Sequence, residues 1–373
     1  YGNTFTKDFV IFRELEFHKG DVLTPDNLGY SEQRLQRLGI FNTIEIRPLE
    51  DDPALGNRTI LVQVTERDPG LFVSGAGMST ELGFTLRGFV GATYRNLFGT
   101  GRAISSRAEI SDKTALGFVE GSFNVGYREP FLLGWENTGR INLNYSRQLL
   151  SKYPDSSGGY IVAVDSSQAD FVLERDITRQ LKFLFEVYGF THTNTYEYFN
   201  RLPALPQDIG ILGPTFVFDR RDDPFVPTKG DISTWSLEYS SPSLGSNGGA
   251  NGTINYYKTT GSFTKYFSFG GVVWANELKG GYMKNLISPT NGSIPYVKAF
   301  VLGGTSTIRG FDPYAESFPQ SLELPASGIP VDSSFTLFKT ELRIPISKIS
   351  SVGQFGIAIF YDGGAVNVGD GAY

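Results

Sequence analysis

Residue types that perform covalent chemistry are scarce in this chain of 373 residues. It has no cysteine and only two histidines, His18 and His192. Thiolate nucleophiles, thiolate metal sites and disulfide frameworks are therefore excluded together, and almost nothing is left for zinc or imidazole catalysis. No Gly-x-Ser-x-Gly elbow is present to supply a serine nucleophile. Thr191-His192-Thr193-Asn194 sits near the end of a strand-like run and reads as solvated loop, and His18 reads as packed or water-facing. The pieces Gly75-Ala-Gly77 and Gly99-Thr-Gly101 are incomplete against phosphate-loop patterns. A formal net charge of −6 is the wrong sign for a nucleic-acid binder. The expectation is a non-enzymatic protein with no metal, no cofactor and no nucleic-acid partner.

The elements that must position any site are strands. Aromatics reach 14 %, charged residues only 19 %, and there are 44 Gly, 30 Phe and 19 Tyr, a composition too apolar for disorder. No stretch approaches the 18 or so apolar residues of a membrane-spanning helix. From residue 70 onward the period is two: Ile141-Asn-Leu-Asn-Tyr-Ser146 alternates without a lapse, and Leu181–Tyr188 with one. About thirteen such runs centre near Ser74, Val90, Ser106, Phe123, Leu143, Phe171, Phe185, Val217, Leu237, Tyr256, Trp274, Phe338 and Ile359. Several exceed the roughly 9–11 residues that a tilted strand needs to cross a bilayer. Short connections (Gly99-Thr-Gly101, Gly270-Gly271) contrast with long ones (151–159, 200–213, 285–333), as in an outer-membrane barrel. Trp135, Phe267, Phe269 and Trp274 suit interfacial girdles. A soluble sandwich or propeller is the alternative, and its strands are usually about 5–6 residues.

The first seventy residues differ. Lys7 to Phe17 reads as one helix. Thr24-Pro25 reads as an N-cap with Pro at the first helical position, followed by Leu28, Ser31, Leu35 and Leu38 at helical spacing and Gly39 as a stop. Two alternating runs, 42–47 and 59–65, follow as strands.

This segment resembles a POTRA domain through Gly2-Asn3-Thr4, Arg13-Glu14-Leu15, Gly20-Asp21, Ser31 and Arg34-Leu35-x-x-Leu38-Gly39-x-Phe41. Further along, Gly303-Gly304-Thr-Ser-Thr-Ile308-Arg309-Gly310-Phe311-Asp312 carries a tetrad that by itself reads as a surface turn. It is joined by Phe338-Lys-Thr-Glu341-Leu-Arg-Ile-Pro345 and Phe360-Tyr-Asp362-Gly-Gly364. Asn96-Leu-Phe-Gly-Thr-Gly101 and Asp219-Arg-Arg-Asp222-Asp-Pro-Phe-Val-Pro-Thr-Lys-Gly230 add to the match. Together they resemble the BamA/TamA superfamily of outer-membrane assembly factors, most closely its BamA branch, over essentially the whole chain.

The resemblance implies an α+β POTRA domain (1–69) followed by an all-β transmembrane antiparallel barrel (70–373). Sixteen strands are expected in the family against about thirteen here, so the chain is expected to lack most of its first POTRA strand and about three C-terminal strands. It also implies a loop folding back into the lumen, carrying Ile308, Arg309, Gly310 and Phe311, with Glu341, Asp362 and Gly364 on the barrel wall as its partners. Period two is consistent: Ile357, Ile359 and Tyr361 outward send Asp362 inward, and Leu342 and Ile344 outward send Lys339, Glu341 and Arg343 inward. A planar guanidinium would there make bidentate, charge-assisted bonds, and Gly310 would let the loop backbone approach the wall closely. The implied function is insertion of unfolded outer-membrane proteins, received through the POTRA domain in the periplasm. Outer-membrane lipids and accessory periplasmic lipoproteins are the other expected partners. Secretion of proteins across the outer membrane is the alternative, and an outer-membrane enzyme or a passive pore is less favoured.

Overall fold

The computed structural model describes the whole chain except residues 51–56, 81–83, 115–116, 154–159, 198–204, 250–251, 288–291, 293, 305, 312–331, 350–352, 370 and 373. Its N-terminal domain has two helices, α1 (Asp8–Phe12) and α2 (Pro25–Arg37), and two antiparallel strands, β1 (Phe41–Pro48) and β2 (Ile60–Glu66). The Thr24 hydroxyl accepts from the Asn27 amide, and Pro25 opens α2 where a missing N–H costs nothing. Gly39 follows the helix with φ +66, the left-handed stop that a residue without Cβ adopts freely. Val10, Ile11, Leu35, Ile40, Phe41 and Val64 form the core. Tyr1 bonds the free edge of β2 through both main-chain groups, its amino group to Val62 O (2.8 Å) and its carbonyl from Val64 N (2.9 Å).

The helix expected over Lys7–Phe17 stops at Phe12. Side chains of α2 take over the backbone and carboxylates beyond it: Ser31 Oγ accepts from Glu16 N (2.9 Å), and Arg34 Nε binds Glu14 (3.2 Å). Helix propensity is a weak prior, and these tertiary bonds override it.

The rest of the chain is one meander. Its strands are β3 (Gly70–Ser79), β4 (Thr85–Leu97), β5 (Arg102–Lys113), β6 (Phe118–Glu129), β7 (Thr138–Tyr153), β8 (Tyr160–Asp176) and β9 (Leu181–Glu197). They continue with β10 (Leu205–Asp219), β11 (Gly230–Ser240), β12 (Tyr256–Phe269), β13 (Val272–Asn285), β14 (Ser333–Ile349), β15 (Gly353–Val368) and β16 (Gly371–Ala372). Each pairs antiparallel with the next, leaving β3 and β16 at the two ends of the sheet. Among the described residues, thirteen long strands, β3 to β15, match the thirteen periodic runs, and β16 adds a two-residue stub. Strand β10 begins at Leu205, so Leu205–Gly213 is strand, not part of the loop expected over 200–213. The Tyr256 run is centred too early, because Tyr256 is the first residue of β12.

Period two sorts the faces. Ile141, Leu143 and Tyr145 of β7 are exposed, as are Ile357, Ile359 and Tyr361 of β15 and the aromatics Trp135, Phe267, Phe269 and Trp274. Beyond Tyr145 the same face carries Arg147 paired with Asp165 at 2.8 and 3.0 Å. Charges on the lipid face are costly at the midplane, so that pair marks the upper edge of the apolar band.

The N-terminal domain is tied to the rim at which β3 begins. The Glu66 carboxylate accepts from Thr4 N (3.0 Å), Thr4 Oγ1 (2.7 Å), Phe5 N (3.0 Å) and Thr6 N (2.5 Å). It thereby fixes the segment that then touches the β4–β5 turn through Thr6 and Lys7. Partial burial alone would raise the Glu66 carboxyl; the bonds from Thr6, Thr4 and Phe5 outweigh it and hold it down to about 2. A depressed folded-state value stabilises the fold above the unfolded carboxyl value of about 4.3, and that contribution is lost as pH falls from there through about 2. Amide hydrogen exchange at Thr4, Phe5 and Thr6 should therefore show protection at neutral pH that disappears across this window, and Glu66→Gln should lose most of it at every pH. Equal protection in both proteins would refute the anchoring role.

Candidate functional site

The connection from β13 to β14 turns back into the space enclosed by the sheet. Its stem is apolar: Ile294, Phe300 and Leu302 pack with Ile209 and Ile211 of β10, Tyr256, Met283, Phe335, Leu337, Val366 and Val368. These residues come from five strands, so the sheet curls around the loop. Phe300 and Phe335 lie with ring centroids 4.7 Å apart. Farther along, Thr307 Oγ1 accepts from Gly303 N (2.7 Å) and Gly304 N donates to Phe311 O (2.8 Å), which ties Gly303 and Gly304 to Thr307 and Phe311 at the tip.

Arg309 stands at that tip. Its Nε and Nη2 bond both oxygens of Asp362 at 2.6 and 2.8 Å, its amide donates to Asp362 Oδ2 at 3.1 Å, and its Nη1 reaches Glu341 Oε2 at 2.6 Å. The guanidinium carbon lies 3.5 Å from the centre of the Phe360 ring, a cation–π contact. Asp362 is 3 % exposed, whereas Glu341 and Arg309 are 20 % and 22 % exposed. Glu341 also binds Arg343 Nε at 2.8 Å, and Lys339 Nζ reaches Ser306 O at 3.3 Å. Glu341 lies eight residues into β14, on the order of 25 Å of strand, so the lock is deep. Beside it is a cavity of about 220 Å³, lined by Thr264, Tyr266 and Glu277 as well as Arg309, Glu341 and Arg343.

The structure thus brings together Arg309, Glu341 and Asp362. Ile308 packs against the apolar stem cluster, and Phe311 is exposed. Gly364 meets the loop: a Cβ there would lie 3.0 Å from Leu302 Cδ1 and 3.3 Å from Ile308 Cδ1. Gly310 needs a different reason from the close approach expected of it. A Cβ on Gly310 would touch nothing within 4 Å, but its φ is +88, a conformation costly for any side chain. Asp312 lies outside the described residues.

Two features went unseen in the sequence. Phe360 shares the inward face with Asp362, as period two requires, but nothing local in the sequence marks it as the ring on which Arg309 rests. A second anchor joins the stem to the wall: Lys298 Nζ binds Glu238 Oε2 at 2.9 Å, Tyr256 donates to Glu238 Oε1 at 2.6 Å, and Lys258 Nζ donates to Lys298 O at 2.7 Å. The pairing of positions eighteen to sixty apart carries no local pattern.

The remaining motifs build the rim. Asn96, with φ +66, bonds Thr6 Oγ1 (2.8 Å) and Gly101 N (2.8 Å), and Lys7 N donates to Gly99 O (2.8 Å). A Cβ at Gly99 would sit 2.1 Å from Phe5 O, so the turn is glycine where the N-terminal domain docks. In the β10–β11 turn, Asp222 accepts from Thr228 Oγ1, Thr228 N and Lys229 N, bonds that lower its carboxyl. His192 Nδ1 lies 2.6 Å from Asp208 Oδ1, with Asn194 Nδ2 at 3.3 Å from Nε2. The ring is thus held within strand β9 rather than in a loop.

An α+β domain docked on the rim of a long-stranded antiparallel sheet, with an arginine-tipped loop inside it, defines the class of POTRA-barrel proteins. Residues 96–372 match the Omp85 superfamily domain and residues 1–67 match POTRA, the surface antigen variable number repeat; the chain belongs to the Omp85 superfamily. It is 23 % identical over 329 residues to the outer membrane protein assembly factor BamA of Nitratidesulfovibrio vulgaris, covering 83 % of this chain and 37 % of that protein. It is 29 % identical over 157 residues to the sorting assembly machinery 50 kDa subunit of Saccharomyces cerevisiae, covering 41 % of this chain and 29 % of that one. The chain therefore spans well under half the length of these curated relatives. The crystal structure of BamA from Haemophilus ducreyi lacking POTRA domains 1–3 superposes with a TM-score of 0.67 at 19 % identity, covering 98 % of this chain and 70 % of that one. The protein is an outer-membrane barrel with its POTRA domain on the periplasmic side.

Removing the guanidinium leaves the Asp362 carboxylate buried without a cation. Arg309→Ala should lower barrel stability by about 2–3 kcal/mol, less than a fully buried pair because the lumen is wet. The drop is readable as a lower temperature for loss of the compact electrophoretic band. Arg309→Ala and Asp362→Asn together should couple by about 1–2 kcal/mol. Strictly additive effects would show that the pair is not a unit.

Proposed function

We propose that this chain is the membrane-embedded part of an outer-membrane protein assembly factor, which helps unfolded outer-membrane proteins fold and insert. The observation that carries the reading is the Arg309 lock. A loop fastened about halfway down the lumen stands in the path that a passive pore would need open, while the long antiparallel strands around it pair through main-chain groups. A sheet edge offers main-chain donors and acceptors that accept almost any sequence as an added strand. The clients are unfolded outer-membrane proteins, delivered past the POTRA domain, and periplasmic lipoproteins serve as accessory partners. The work is done by binding and positioning, without covalent chemistry at His192. The names of the assembly-factor relatives support this reading, as does the POTRA domain's fixed seat on the rim.

Reconstitution decides it. Liposomes containing the protein should accelerate folding of an urea-unfolded outer-membrane client, followed by its compact-band shift, and Arg309→Ala should reduce that acceleration at least about tenfold while the protein remains inserted. A wild-type protein that leaves client folding unchanged, yet moves a soluble polypeptide across the vesicle membrane, would overturn assembly in favour of secretion.

A further inference from the structure

A second cavity, of about 440 Å³, lies where the POTRA domain meets the lumen wall. Its wall is the inward face of four neighbouring strands at their periplasmic ends. The register aligns Arg95 with Ala103, Ala103 with Arg128, and Arg128 with Arg140, so three arginines share one row. Arg37, at the end of α2, closes the cavity from the domain side. Small residues leave the room: a Cβ on Gly126 would lie 2.9 Å from Ser105 Oγ and 3.3 Å from Asn142 Oδ1.

The charges in this row do not balance. Arg37 is paired with Asp176 at 2.8 Å and Arg140 with Glu174 at 2.5 Å. The nearby Glu129 is already taken by Arg102 at 2.6 Å and by the Tyr127 hydroxyl at 3.0 Å. Among the described residues neither Arg95 nor Arg128 has a carboxylate at ion-pairing distance, and the buried Nε atoms of Arg128 and Arg140 have no hydrogen-bond partner. Buried donors without acceptors are costly, and unpaired guanidinium groups held side by side repel. An incoming oxyanion removes both penalties, and a planar fork is the geometry that binds a carboxylate through two bonds.

We propose that this cavity is a receptor for the carboxylate of an acidic peptide segment entering the barrel from the periplasm. The site faces the lumen and the POTRA helix, and strands β4–β7 stand between it and lipid, which favours a polypeptide over a phospholipid headgroup. The identity of that peptide as a client rests on the assembly reading; the oxyanion chemistry does not.

The test titrates the full chain in detergent, at low ionic strength, with a fluorescent Asp-rich peptide and with its Asn-substituted counterpart, read by anisotropy. The acidic peptide should bind at least about tenfold more tightly, and Arg95→Gln/Arg128→Gln should abolish the difference while the compact electrophoretic band persists. Arg95→Lys/Arg128→Lys keeps the charge but loses the fork and should fall between. Ser105→Glu keeps all four arginines and supplies a competing carboxylate, so it should weaken the acidic peptide alone. Unchanged selectivity in the Gln and Glu variants overturns the proposal. So does a Gln variant that loses binding to phosphatidylglycerol vesicles but not to the peptide, which would assign the site to lipid. The two readings fail separately: lost selectivity with normal client folding overturns the receptor alone, and normal selectivity without client folding overturns the assembly role alone.

Discussion

An ionised carboxylate at 3 % exposure inside a barrel has to have a cation, and Asp362 obtains its cation from a different part of the chain. The lumen architecture follows from that requirement. Arg309 can reach Asp362 only if the β13–β14 connection descends into the barrel, and the descent is stabilised because the upper lumen wall is lined with apolar side chains that pack on the stem. The second carboxylate widens the constraint. Glu341 divides its oxygens between Arg309 and Arg343, so the tip is held to two adjacent strands at once and cannot pivot about a single pair.

The two anchors of the loop differ in kind. At the tip, charge-assisted bonds and a Phe360 face fix orientation to within a hydrogen-bond length. At the stem, Lys298 and Glu238 sit beside Tyr256, Phe300 and Lys258, where burial of apolar surface supplies most of the stabilisation and the ion pair sets register. Withdrawal of the loop would have to break the bidentate pair and expose the stem together. Polar and apolar contacts therefore fix the loop together, each at a different height in the lumen.

Much of this was legible in the sequence where a local rule applied. Period two located all thirteen long strands and gave the inward direction of Lys339, Glu341, Arg343 and Asp362, and Thr24-Pro25 and Gly39 framed α2. Failures fell where tertiary contacts decide. The α1 helix ends at Phe12 because Ser31 and Arg34 claim the groups beyond it. Phe360 shares the inward face with Asp362 by period two, but its contact with Arg309 depends on where the loop arrives. Gly310 was recognised as necessary for a reason that the geometry replaces with its left-handed backbone. The arginine row was invisible, since Arg95, Arg128 and Arg140 become neighbours only through strand register.

The barrel is held at two places that do not share strands. The loop lock fastens β14 and β15, whereas the POTRA domain fastens the turns nearest β4 to β8: Asn96 and Gly99 through Thr6 and Lys7, Glu136 through Arg34 (3.0 Å), and Asp176 through Arg37 (2.8 Å). A rotation of the domain therefore bears directly on the β3 end of the sheet and reaches the lock only through the intervening strands. Those strands are not uniform, because the β9–β10 and β8–β9 ladders slip register near Ile211/Gly213 and Phe171/Val172, and bulges are where a sheet bends. The two fastenings are thus separated by a part of the sheet that is built to bend.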